Sequence, residues 1–165
     1  MHGATIKTRL LLVAAALTLL SACASGPREV RGELPLITLD GLERRDAGIT
    51  LLLGLRNIND RPFPLTEVEV QLRVGGELLL SVIHTPDFEL GPRGREVLVL
   101  RGPGQDAGLR TLDRLEPAAA QNDVIALGSI DWSMDLRLND ERGRSRTTES
   151  SGFLHPVPGQ PGRFR

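Results

Sequence analysis

Residues 47–83, AGITLLLGLRNINDRPFPLTEVEVQLRVGGELLLSVI, leave a chain few ways to fold. Ile49, Leu51, Leu53 and Leu55 alternate with Thr50, Leu52, Gly54 and Arg56, so an extended backbone over Ile49–Asn57 has one wholly apolar face. Alternation of period two is strand periodicity, and a single apolar face belongs to a sheet packed on one side. Gly54 inside this run marks a bulge or a close approach of backbone. The run Asn57-Ile58-Asn59-Asp60-Arg61-Pro62-Phe63-Pro64 then breaks the pattern. Asn and Asp side chains hydrogen-bond nearby backbone, and each Pro fixes φ and removes a donor, so a corner is expected there. Beyond it Val68, Val70, Leu72 and Val74 alternate strictly with Glu67, Glu69, Gln71 and Arg73. Gly75-Gly76 permits the positive φ of a tight hairpin. A two-residue turn sets Leu79 opposite Leu72 and a three-residue loop sets Leu80 there; the sequence leaves both open.

The remaining segments repeat this style. Leu36–Leu39 reads as a first short strand ending near Asp40-Gly41, and Val97 and Val99 belong to another after Gly91-Pro92-Arg93-Gly94. Asp106 is placed to cap a short helix carrying Leu109, Leu112 and Leu115 on one side, stopped by Pro117. Val124–Leu138 is a second long strand, with Ile130, Trp132, Met134, Leu136 and Leu138 on its apolar face. After a loop at 139–143, Arg144–Ser151 returns as a polar, Thr-rich strand of the kind that protects a sheet edge. About seven short strands and one small helix describe an all-β fold, a β-sandwich of the immunoglobulin or fibronectin III kind with one short helix.

Cysteine usage and the N-terminus bear on placement. The chain has one Cys, Cys23, so it forms no internal disulfide, and zinc sites normally need several Cys or His ligands. Lys7 and Arg9 precede an apolar run from Leu10 to Leu20, closed by Leu20-Ser21-Ala22-Cys23. A charged start, a short apolar run and small residues before the cut describe an export signal, and the run is too short to span a bilayer comfortably. The closing four residues resemble a bacterial lipobox. That resemblance implies diacylglycerol on the Cys23 thiol, cleavage before Cys23 and acylation of the new amino terminus. The expected organisation is a signal peptide over 1–22, a lipidated Cys and tether over 23–35, a sandwich over 36–156 and a disordered tail over 157–165. Removing 22 of the 165 residues leaves a mature chain of 143, and the loss of Lys7 and Arg9 lowers the net charge from −1 by two, to −3. No global basic field is present to grip a phosphate backbone, so nucleic acid is not an expected partner. In a Gram-negative source, Ala24 after the Cys favours the outer membrane.

A hydrophobic strand, an Asn-x-Asn corner (Asn57, Asn59), a Pro-Leu pair (Pro64-Leu65), an alternating strand and a Gly hairpin together resemble the late embryogenesis abundant (LEA) type 2 family. Its module is also called the water stress and hypersensitive response (WHy) domain. The likeness runs over about Leu36–Pro156, and Ile58 stands where the family usually has Pro. It implies the same sandwich, an association with water stress or desiccation, and structural roles for Asn57, Asn59, Pro64 and Leu65.

Candidate chemistry is sparse. Asn57, Asn59 and Asp60 offer oxygen ligands for calcium but lack the several carboxylates and the bidentate Glu of a dedicated loop, so no metal site is expected. Ser81, His84 and Asp87 assemble into a triad only on paper, since nothing like a nucleophile elbow surrounds the serine. His84 and His155 sit in no two-ligand motif. No catalytic residue and no cofactor are expected. Trp132 reads as core. Arg142, Arg144 and Arg146 form a local basic strip on a solvated edge, where a weak contact with anionic lipid or cell-wall polymer is conceivable. The expected partners are the membrane, through Cys23, and an envelope protein or polymer. A lipid-anchored, non-enzymatic envelope protein is therefore the leading reading, and an adaptor binding a protein or polymer through a sheet edge the second.

Overall fold

Alternating apolar positions close into two antiparallel sheets in a computed structural model of the protein, which describes residues 28–115 and 128–165. Cys23, the segment before it, Pro117 and the expected strand start at 124–127 lie outside the described residues. Residues 31–165 make up one compact unit. Its strands are β1 (Leu36–Arg45), β2 (Gly48–Arg56), β3 (Glu67–Val74), β4 (Glu77–His84), β5 (Arg95–Pro103), β6 (Ile130–Asn139), β7 (Ser145–Leu154) and β8 (Arg163–Phe164), with helix α1 (Asp106–Asp113) between β5 and β6. One sheet has the order β5-β2-β1-β8 and the other β4-β3-β6-β7. The fold is all-β, a sandwich with one short helix.

Each strand turns its apolar row inward. Leu51, Leu53 and Leu55 of β2 face Val68, Val70 and Leu72 of β3 and Met134 and Leu136 of β6 across a single core. Trp132 is buried at the end of this row and lies over Gly152, where a Cβ would come within 3.0 Å of the indole nitrogen. The hairpin between β3 and β4 resolves the ambiguity at 78–80. Val74 pairs with Glu77 across Gly75-Gly76, but a bulge after Arg73↔Leu78 sets Leu72 opposite Leu80. The turn thus has two residues and the extra one, Leu79, is absorbed by the bulge. Leu79 is buried under α1, where Gly108 lets the helix approach so closely that a Cβ there would lie 2.6 Å from the Leu79 Cα.

Several boundaries differ from those expected. β1 runs on to Arg45 through a bulge between Leu39 and Gly41, after which Leu42 re-enters the core. The domain begins before Leu36: Leu34 packs on the core, Pro35 is buried, and Glu33 is hydrogen-bonded to Asn59 in both directions. Asp106 is not the cap of α1. Gln105 is, with no side-chain cap bond, and Asp106 lies in the first turn, where its charge favours the helix dipole. β7 continues to Leu154. The segment 157–165 is no disordered tail: β8 pairs with β1 through Leu42↔Phe164 and Glu43↔Arg163, and Phe164 is buried against the core. Its Pro and Gly residues suggest disorder, yet Gly162 at φ 75° makes the turn that brings Phe164 inward.

Candidate functional site

Two loops cross between the sheets at the same end of the sandwich, 57–66 joining β2 to β3 and 85–94 joining β4 to β5. A crossing loop leaves its peptide groups without a strand partner, so each loop must satisfy the other or be satisfied by side chains. Some pairing is direct: Asn57 N–H donates to Gly94 O at 2.9 Å, Phe63 N–H to Leu90 O at 2.9 Å and Arg93 N–H to Asn59 O at 3.0 Å. Arg93 takes this place at φ 55°, a left-handed conformation uncommon for a non-glycine residue, and its Nε donates to Asp60 Oδ1 at 2.9 Å.

The Asn57 side chain completes the junction from inside, fully buried. Its Nδ2 donates to Arg61 O at 2.8 Å, Gly91 O at 2.9 Å and Leu90 O at 3.2 Å, tying both loops to one amide. Its Oδ1 accepts from Asn59 N–H at 2.9 Å and from Asn59 Nδ2 at 2.8 Å. Asn59, also buried, passes the chain of bonds on to Glu33: Nδ2 donates to Glu33 O at 2.8 Å, and Glu33 N–H donates to Asn59 Oδ1 at 2.8 Å. A side-chain amide carries two N–H donors and a separate acceptor oxygen, so Asn at both positions fits a site asking for each. The same bonds answer the calcium alternative. Both amide oxygens already point at N–H donors, and the Nδ2 groups point at oxygens of the protein, so neither side chain presents an oxygen to a cation. Asp60 is directed at Arg93. Among the described residues no group of three or more His, Cys, Asp or Glu side chains is arranged to hold a metal ion.

Pro64 and Leu65 follow at the exit of the corner, half-buried, with Leu65 against the core and Thr66 N–H donating to Asn139 O at 2.9 Å. A shallow cleft beside the corner has Phe63, Pro62, Pro64 and Leu138 on its walls and Arg61, Arg144 and Arg146 at its rim. Arg144 is bound to Asp140, with Nη2 2.6 Å from Oδ2, and Arg146 Nη1 donates to Gly32 O. Asp140 Oδ1 also accepts the N–H groups of Arg142 and Arg144 at 2.9 Å each. The backbone bond from Arg144, then the Arg144 guanidinium and the Arg142 N–H, hold the Asp140 carboxyl below the usual carboxylate range despite some desolvation. Two members of the arginine strip seen in the sequence are therefore engaged in holding this end together.

The paper triad does not assemble. Ser81 pairs with Gln71 on the solvent face of its sheet, while His84 pairs with Val68 on the inner face. Residues three apart on a strand point to opposite sides, so their side chains diverge. The part of Glu33 in the corner had no signal in the sequence, because it lies 26 residues from Asn59.

No protein-family model matches the chain, and no curated protein does. Among solved structures, the solution structure of AT1g01470 from Arabidopsis thaliana is 13% identical, covers 82% of this chain and 94% of that one, and has a TM-score of 0.49. The solution structure of a putative late embryogenesis abundant protein, At2g46140.1, is 14% identical, covers 94% of this chain and 86% of that one, and has a TM-score of 0.48. A crystal structure of a protein from Archaeoglobus fulgidus is 12% identical, with 76% and 98% covered and a TM-score of 0.45. Likeness at this level says nothing of what the chain does.

Proposed function

We propose that the chain is a lipid-anchored, non-enzymatic β-sandwich of the cell envelope, held through Cys23 and serving tolerance to water stress or desiccation. The observation that carries the non-enzymatic part is the closed corner. Its buried polar groups bond to one another and to the backbone, which is how a structural joint is built rather than a reactive site. The lipobox-like Leu20-Ser21-Ala22-Cys23 supports the anchor, and the Asn57-x-Asn59 and Pro64-Leu65 pattern supports the LEA type 2 likeness. In a Gram-negative source the protein faces the periplasm from the outer membrane. The test is survival of drying by a deletion strain, complemented with the wild-type gene or with Cys23→Ser. Reduced survival restored by the wild type alone supports the reading; survival equal to the parent strain overturns its physiological part.

A further inference from the structure

The two outer faces of the sandwich carry opposite charge. On the β5-β2-β1-β8 sheet, the strand register turns Arg45, Arg56, Arg95, Arg101 and Arg163 outward, against only Asp40 and Glu43. Those two carboxylates are already engaged, Asp40 with Arg95 at 2.8 Å and Glu43 with Arg163 at 2.9 Å. An excess of three arginines remains. On the β4-β3-β6-β7 sheet the outward set is Glu67, Glu69, Asp131, Asp135 and Glu149, against Arg73 and Arg137. The excess there is three negative charges.

The apolar residues left exposed are also distributed unevenly. On the basic face Val97, at 51% exposure, and half-buried Val99 flank Leu52 and Gly54 on neighbouring strands, with Leu36 at 53% exposure one strand further on. Gly54 keeps this surface low, because Thr38, Asp40 and Arg95 close over its Cα. On the acidic face the two large exposed residues, Ile83 and Phe153, lie on opposite edge strands, about 14 Å apart across the sheet and a further ~20 Å along it, since Ile83 is level with Thr147. One face thus carries an apolar patch of Leu52, Val97 and Val99 bordered by arginines, with Leu36 beyond the polar groups that cover Gly54. The other is acidic, with scattered apolar positions.

The covalent chain says what such a face would meet. Seven residues, and so eight residue steps, separate Cys23 from Arg31, where the compact unit begins. Fully extended they reach about 28 Å, and as a flexible coil about 16 Å. A strand of ten residues such as β1 is itself about 33 Å long. An anchored domain therefore stays within about its own length of the bilayer. At that range an anionic surface attracts one face and repels the other. We propose that the outer face of the β5-β2-β1-β8 sheet, with Arg56 and Arg101 as its uncompensated charges, docks on an anionic phospholipid bilayer, leaving the acidic face toward the aqueous side. This orientation rests on the anchor reading for its proximity, but the surface itself is testable without lipidation.

The experiment is co-sedimentation of residues 31–165, which hold every core residue among those described, with vesicles of phosphatidylglycerol or of phosphatidylcholine at low ionic strength. Preference for phosphatidylglycerol is expected. Each arginine near an anionic surface changes partition about fivefold, so the double variant Arg56→Gln, Arg101→Gln loses about 25-fold. Arg73→Gln, on the acidic face, binds as wild type. All three positions are exposed, and a thermal melt confirms folding. No binding, equal binding to both lipids, or equal loss in Arg73→Gln overturns the proposal. If Cys23 is acylated in cells while the domain ignores vesicles, the docking face fails and the anchor stands. If vesicles bind and Cys23 is not acylated, the anchor alone fails.

Discussion

Replacing Asn57 with Ala removes one buried amide from five hydrogen bonds. The consequences differ by partner. Leu90 O keeps the Phe63 N–H and Gly91 O keeps the Gly94 N–H, so each loses only one of two bonds, and Arg61 O belongs to an exposed residue at the rim of the corner. Asn59 Nδ2 keeps its bond to Glu33 O. The Asn59 N–H keeps nothing, since Asn57 Oδ1 is its acceptor, and it lies in the buried interior of the corner. An orphaned buried N–H costs about 1–3 kcal/mol, and each lost bond to a still-satisfied partner less than the ~1 kcal/mol of an ordinary one. The sum is about 3 kcal/mol. For a unit of this size that lowers the melting temperature by about 10 °C. Asn57→Asp is expected to be no better than Ala, because it turns an anionic oxygen toward three carbonyls in place of a donor. Thermal melts of wild type and both variants, with calcium and with chelator, test this. The curves are expected to fall together in both buffers. A loss under about 1 kcal/mol, or a wild-type midpoint raised by calcium and unresponsive in Asn57→Ala, would refute the account of the corner.

Trp132→Ala is expected to cost about 3–5 kcal/mol in denaturant melts, the usual range for deleting a large core aromatic. Phe164→Ala should cost about 3 kcal/mol or more, whereas a tail without structure would give no change in the same assay. Gly108→Ala sets a Cβ 2.6 Å from the Leu79 Cα and should cost about 1–3 kcal/mol. Gly54→Ala meets side-chain atoms rather than backbone and should cost less; a reversed order in urea titrations would count against the helix packing described. Asp140, with its pKa lowered by the Arg144 and Arg142 bonds, stabilises the fold above the ordinary carboxylate range and loses that contribution as pH falls through its native pKa. Asp140→Asn should therefore narrow its stability deficit from wild type on acidification, and a deficit constant from pH 7 to pH 2 would contradict the assignment.

The strands were legible wherever one face is apolar and the other polar. β3 and β6 show their alternation letter by letter, and the inward rows are the ones the alternation named. The first strand was cut short at Asp40-Gly41 because a bulge breaks the period of two, and periodicity carries no sign that Leu42 resumes it. The end of the chain departs from the expected tail for a related reason. Pro-Val-Pro-Gly-Gln-Pro-Gly is turn chemistry, and whether a turn leads nowhere or returns a residue to the core depends on a distant partner, here Leu42. At the corner, Asn57 and Asn59 stood out as turn formers. The sequence could not show that their amides join loops more than 30 residues apart, nor that Glu33 closes the set. The opposite charge of the two faces was hidden too, since it emerges only when the register assigns each Arg and Glu to a side.

The proposed anchor at Cys23 carries most of the functional reading, and the mass of the mature amino-terminal peptide tests it most directly. Protein purified from membranes and digested with a protease should give a peptide that begins at Cys23 and carries the mass of a diacylglyceryl group and an amide-linked acyl chain. Cys23→Ser should give no such species and should leave the detergent phase. An unmodified amino terminus at any residue, or a Cys23→Ser protein that still partitions into detergent, would contradict it.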